Sequence, residues 1–157
     1  MTNQSAIHNT FIVERNYPQA PERVFSALSD PAKKRRWHGD GGKTEVEHFE
    51  MDFRTGGVER IQLRFNQDSP FPGVPLVNDG IYNDIVPNER VVTSSTMTIG
   101  EKHVSVALIT FELRANGSGT DLILTHQAVF FEGSGGPEMR EAGWRDLLER
   151  MAGELGD

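Results

Sequence analysis

Residues 80–151 constrain the fold more than any other part of the chain. They read GIYNDIVPNERVV, then VSVALITFELRANGSGTDLILTHQAVFFEG, and run into REAGWRDLLERM. Strand-length stretches joined by short turns thus lead into one amphipathic helix. A curved antiparallel sheet of that length cannot fill its own concave side, and the helix is the element available to cover it. Such a pairing tends to leave a small-molecule pocket between sheet and helix.

The amino-terminal half supplies the other elements. Residues 1–9 are polar and read as flexible. Residues 10–17 alternate as a strand, with Phe11, Val13 and Tyr17 against Glu14 and Asn16, and Ile12 breaking the pattern. Pro18 ends that strand. Ala20-Pro21-Glu22 opens a helix, the proline sitting where a missing N–H costs nothing. Val24, Phe25, Ala27 and Leu28 form its buried stripe. Asp30 before Pro31 caps a second, short helix that ends near Trp37 and His38 and is stopped by Gly39, Gly41 and Gly42.

From Thr44 onward the chain reads as sheet. Phe49, Met51 and Phe53 share one strand face, with Asp52 and Arg54 on the other. Gly56-Gly57 turns into a strand ending Ile61, Leu63, Phe65. Pro70, Pro72 and Pro75 make residues 69–75 a loop. Strands at 81–86 and 90–99 flank Pro87-Asn88-Glu89. Strands at 104–114 and 121–131 flank Asn116-Gly117, a turn signal because both residues tolerate positive φ. Residues 133–136 form a hinge into a final helix at 137–155, whose apolar face is Met139, Trp144, Leu147, Leu148, Met151 and Leu155. The order is strand, two short helices, about six strands and a long helix. It predicts an α+β chain forming a single domain over residues 1–157, without repeats.

The charge of −7, from 16 basic and 23 acidic side chains, gives no general attraction to nucleic acid or anionic lipid. The absence of cysteine excludes disulfides, thiolate metal sites and a cysteine nucleophile. No early segment has the apolar core of a signal peptide, and no run approaches the roughly 20 apolar residues of a membrane span. The expectation is a cytoplasmic protein without nucleic-acid partners or membrane insertion. His8, His38, His48, His103 and His126 show no paired ligand spacing, so no metal site is expected. The glycines at 39–42 lack the lysine and hydroxyl residue of a phosphate-binding loop, and no serine sits in a nucleophile-elbow sequence. No cofactor is implied.

Several short motifs, in order, resemble a known family. They are Ala20-Pro21-Glu22-Arg23-Val24-Phe25, Ser29-Asp30-Pro31, Trp37, and Asp52-Phe53-Arg54-Thr55-Gly56-Gly57. Tyr82, Asp84-Ile85-Val86-Pro87, Val104-Ser105-Val106, Gly119-Thr120 and Thr125-His126-Gln127 with Phe130 follow, and then Arg140-Glu141, Gly143-Trp144 and Leu147-Leu148. The chain resembles the START-like (SRPBCC) superfamily, and within it bacterial proteins of the family named after the activator of heat-shock protein 90 ATPase. The resemblance implies a helix-grip fold: a curved antiparallel sheet of six to seven strands wrapped round a long C-terminal helix, with two short helices after the first strand. Where this chain has His126 the family usually places a glutamate.

Against that frame His126 is the sharpest candidate. It shares parity with Leu122, Leu124, Ala128 and Phe130, so it is either a pocket imidazole able to exchange protons near neutral pH or a core histidine satisfied by a neighbour. Tyr82 and Asp84 share a strand face, where a phenol beside a carboxylate could move a proton; a cross-strand hydrogen bond is the commoner arrangement. Trp37 and Trp144 are read either as ligand-stacking residues or as core aromatics. Arg15, Arg54 and Arg140 are potential anchors for an acidic ligand group, since a guanidinium binds a carboxylate with two parallel bonds. Arg54, beside Gly56-Gly57, is more simply a turn-fixing residue. The basic run at 33–36 is read as a solvated face rather than a phosphate site.

The leading function is binding of a small hydrophobic or amphipathic molecule by Trp37, Phe49, Met51, Phe53, Tyr82, His126, Phe130, Trp144, Leu148 and Met151. The alternative is a cavity enzyme of cyclase, dehydratase or hydrolase type, with His126 and Tyr82 as catalytic candidates. A co-chaperone-like protein is suggested by the family's name and by nothing in the residues. An exposed edge strand would let two copies pair as a homodimer.

Overall fold

Seven segments alternate strongly enough to pair. In a computed structural model describing residues 6–39 and 42–156, they form β1 (Ile7–Tyr17), β2 (Thr44–Met51), β3 (Val58–Phe65), β4 (Pro75–Val86), β5 (Arg90–Ile99), β6 (Lys102–Asn116) and β7 (Gly119–Phe130). Gly41 and residues 1–5, named above as helix stop and polar start, lie outside the described residues. One antiparallel sheet runs β1-β7-β6-β5-β4-β3-β2. The two strands nearest the chain's start are therefore its two edges. Helices α1 (Pro21–Ser29) and α2 (Pro31–Lys34), with a π-helical turn over Arg35–Gly39, carry the chain from one edge to the other. The long helix α3 (Gly136–Leu155) returns across the concave face, completing an α+β helix-grip fold.

Period-two burial fixes the inner face. On β7, Leu122, Leu124, His126 and Phe130 are buried, and on β1 so are Phe11, Val13 and Tyr17. Trp144, Leu148, Met151 and Leu155 of α3 close over them, each contributing about 1.5–3 kcal/mol through burial. The Tyr17 hydroxyl donates to the Leu148 carbonyl at 2.8 Å and ties β1 to α3. Asp30 caps α2 as expected, its Oδ1 accepting from the Ala32 and Lys33 amides.

Some boundaries differ from the sequence expectation. β1 starts at Ile7, three residues early, because pairing with β7 extends to Phe130. Phe53 lies beyond β2: the Arg54 amide bonds the Asp52 carbonyl and turns the chain there. β4 starts at Pro75 rather than near residue 81, since a proline at a strand's first position gives up no essential ladder donor. The β6–β7 turn is Gly117-Ser118, with Gly117 at φ 59°, and Asn116 belongs to the strand. Met139 is 65% exposed, unlike the buried residues of the apolar face of α3.

Candidate functional site

Side-chain size on the middle strands opens a void. β5 and β6 turn Thr93, Ser95, Ser105 and Ala107 inward, with Ser95 opposite Ala107 and Met97 opposite Ser105. Meanwhile α3 packs most closely against the π-helical turn and β1. Small floor residues and a displaced roof leave a cavity of about 480 Å³ between α3 and strands β3 to β6. Leu63, Ile109, Phe111, Trp144 and Leu147 give it mainly apolar walls.

Two polar clusters interrupt those walls. In the first, Lys34 is buried and its ammonium donates to Glu59, while the Tyr82 hydroxyl donates to the same carboxylate oxygen, Oε2. Burial raises the Glu59 carboxyl, but the charge of Lys34, the proximity of His38 and the two hydrogen bonds outweigh it and hold the pKa below its ordinary value. The Tyr82 phenol is pushed up by burial and by the Glu59 charge. His38 lies beside them, with ring centres 5.3 Å from Trp37 and 5.6 Å from Trp144. Burial, reinforced by Lys34 and Arg150, lowers its pKa to about 3. It is a neutral imidazole at neutral pH, and its Nδ1 has no hydrogen-bond partner among the described residues.

The second cluster surrounds Arg140. Its Nη2 donates to Ser105 Oγ at 2.8 Å and approaches Met97 Sδ at 3.1 Å. The guanidinium carbon lies 5.2 Å from the centre of the Phe130 ring. Burial lowers the pKa to about 10, so the group stays charged at neutral pH.

Among the candidates read from sequence, Trp144 lies on the cavity wall. Leu148 and Met151 are fully buried in the core beneath α3. Trp37 is a core aromatic whose Nε1 donates to the Ala27 carbonyl at 2.8 Å. Phe49 and Met51 are half-buried on β2, opposite Ile61 and Glu59. Phe53 packs edge-on against Phe25 and Tyr82. His126 does sit on the inner face, but it is fully buried between Phe11 and Phe130, and among the described residues neither ring nitrogen has a hydrogen-bond partner. Burial first, and then the charge of Arg140, lower its pKa to about 4.

Tyr82 and Asp84 do not share a face. A bulge between them turns Asp84 outward onto Arg90, at 2.7 Å, and Ile85 inward. Arg15 donates to the Glu14 carbonyl, and Arg54 pairs with Asp52 at 2.8 Å, the turn-fixing arrangement. The basic run at 33–36 is not one solvated face, since Lys34 points inward and only its neighbours reach out to Ser26 and Glu154. Sequence reasoning passed over Glu59 and Ser105. The signal for Glu59 was parity: it alternates with Ile61, Leu63 and Phe65, and a carboxylate on such a face must find a partner.

A family model described as "Activator of Hsp90 ATPase homolog 1-like protein" matches residues 18–156. A protein from Rhizobium leguminosarum is 34% identical, with a TM-score of 0.88 and 98% of each chain covered. A Rhizobium loti protein is 43% identical, with a TM-score of 0.83, covering 96% of this chain and 99% of its own. An AHSA1-like protein from Aeromonas hydrophila, 19% identical with 94% of this chain and 92% of its own covered, shares the fold at a TM-score of 0.68. No functionally curated protein matches the chain.

Proposed function

The chain belongs to the activator of Hsp90 ATPase homolog 1-like family, and on that premise we propose that it binds a small, mostly apolar molecule between its sheet and α3. The cavity of about 480 Å³ carries this reading, because concave, largely apolar spaces of roughly 300–1,000 Å³ with a few convergent polar groups suit small ligands. The family supports a ligand-binding fold. The cysteine-free, acidic composition accords with a cytoplasmic protein. Among the described residues no helix is long and apolar enough to cross a membrane.

The test is to titrate a panel of hydrophobic small molecules while following tryptophan fluorescence and melting temperature. A saturable response is expected, and Ala107→Leu, which fills the floor of the cavity, should abolish it while the protein still melts cooperatively. Absence of a saturable response across the panel would overturn the reading.

Acid–base chemistry in the same space is a second reading, and one observation favours it: a neutral His38 imidazole, its Nδ1 without a partner among the described residues, lies beside the ionised Glu59. Turnover of a bound substrate that survives His38→Gln unchanged would remove that role.

A further inference from the structure

The inner surface of the cavity is not uniformly apolar, and its charge is unlike that of the whole protein. Its charged lining residues are the cations Lys34, Lys43, Arg140 and Arg150 and the acids Glu59 and Asp146, in a chain whose net charge is −7. Lys34 and Glu59 neutralise one another in a short ion pair. Arg140 is different. Among the described residues no carboxylate comes within ion-pair distance of it, and burial alone accounts for its lowered pKa, with no acid raising it. A guanidinium has five donors. Here Nη2 is engaged by Ser105 Oγ and Met97 Sδ, while Nε and Nη1 make no hydrogen bond among the described residues.

A desolvated cation without a counter-charge is costly to maintain, and nearby apolar walls make any anion that reaches it more strongly held than in water. The ring of Phe130 supports one face of the guanidinium, which leaves its edge for a ligand. The Ser105 hydroxyl, itself buried, is held beside that edge. One fixed positive charge and one hydroxyl match a monoanion with two oxygens, and a planar fork binds a carboxylate with two parallel bonds. The remainder of the wall toward Trp144, one helical turn along α3, is apolar.

From this geometry we infer that the ligand is an amphipathic carboxylic acid, its carboxylate held by Arg140 and Ser105 and its apolar body lying beneath Trp144 between α3 and β5–β6. The inference rests on the small-molecule reading above and adds the chemical class of the ligand's head. Neither Arg140 nor Ser105 lies in the Lys34–Glu59–Tyr82 cluster, so the anchor can be removed without breaking that ion pair.

The experiment uses matched pairs that differ only in the head group: decanoate against decanol, and naphthoate against naphthylmethanol. Binding is followed by tryptophan fluorescence at neutral pH. In the wild type the acid of at least one pair should bind about tenfold more tightly than its alcohol, the scale of one good charge-assisted contact. Arg140→Met should erase that preference and leave alcohol binding within about twofold, and Ser105→Ala should reduce it partway, which keeps the test available if the arginine variant does not fold. Equal binding of acid and alcohol by the wild type, or a preference that survives in both variants, overturns the inference and leaves the small-molecule reading standing. Binding of no member of either pair overturns both.

Discussion

The imidazole of His126 stacks on the ring of Phe11, its cross-strand partner, with centroids 4.6 Å apart and planes within 9° of parallel. The histidine is held as an uncharged flat ring in a wholly buried layer. Its pKa is about 4 in the folded protein against an ordinary 6.5. Above pH 6.5 both the folded and unfolded chains leave it neutral, and it adds no pH dependence. Below that value the unfolded chain takes up a proton that the folded one refuses, so stability falls until the folded pKa is reached. The window is pH 6.5 down to about 4, and the loss is on the order of 3 kcal/mol. His126→Leu, close in volume, should flatten that slope. Urea unfolding midpoints of the two proteins across this range would check it, and parallel curves would show that His126 titrates freely in the fold.

Lys34 and Glu59 are both largely buried, with side chains 7% and 11% exposed. Breaking such a pair strands a charge, whereas replacing it with apolar groups need cost little. Glu59→Gln should therefore destabilise by about 3–5 kcal/mol. Replacing Lys34 by Met, Glu59 by Leu and Tyr82 by Phe together should recover most of that loss, because no polar atom of the cluster is then left unsatisfied. Denaturant melts of the two variants decide the matter. A Glu59→Gln protein of wild-type stability would mean that Lys34 reaches water.

Two glycines should respond oppositely to the same methyl group. A Cβ on Gly57 would lie 1.9 Å from the Asp52 carbonyl oxygen, in a backbone contact that cannot move aside. Gly57→Ala should cost about 3 kcal/mol. A Cβ on Gly143, an exposed position of α3 at the cavity's edge, meets nothing within 4 Å. Gly143→Ala should stabilise by about 0.5–1 kcal/mol by removing a helix-interior glycine. Thermal melts of both variants check the contrast, and similar melting temperatures would contradict it.

Local rules made most of the fold legible in the residues themselves. Alternation of Leu122, Leu124, His126 and Phe130 put the histidine on the inner face, and there it is. Helical spacing of Trp144, Leu148, Met151 and Leu155 marked the face that α3 buries. Pro21, Pro31 and the turn at Asn88, with φ at 65°, set the punctuation. The candidate site was less legible. Being on the inner face and being on a cavity wall are different properties, and His126, Phe130, Leu148 and Met151 have the first without the second. A single bulged residue after Tyr82 separated two side chains that simple parity placed together.

Which side chains face inward follows from the residues alone, because that depends on backbone periodicity within a few residues. Which of those inward residues border empty space was set by how the elements pack. That depends on α3 sitting toward β1 while the small side chains of Ser95, Ser105 and Ala107 gather on strands far from it in the chain. Nor could spacing announce that Arg140 would lie by Ser105 with no acid in reach among the described residues, or that Lys34 would find Glu59 across 25 residues. A void and an uncompensated charge arise where distant segments meet and fail to fill or neutralise one another, and no local pattern records that.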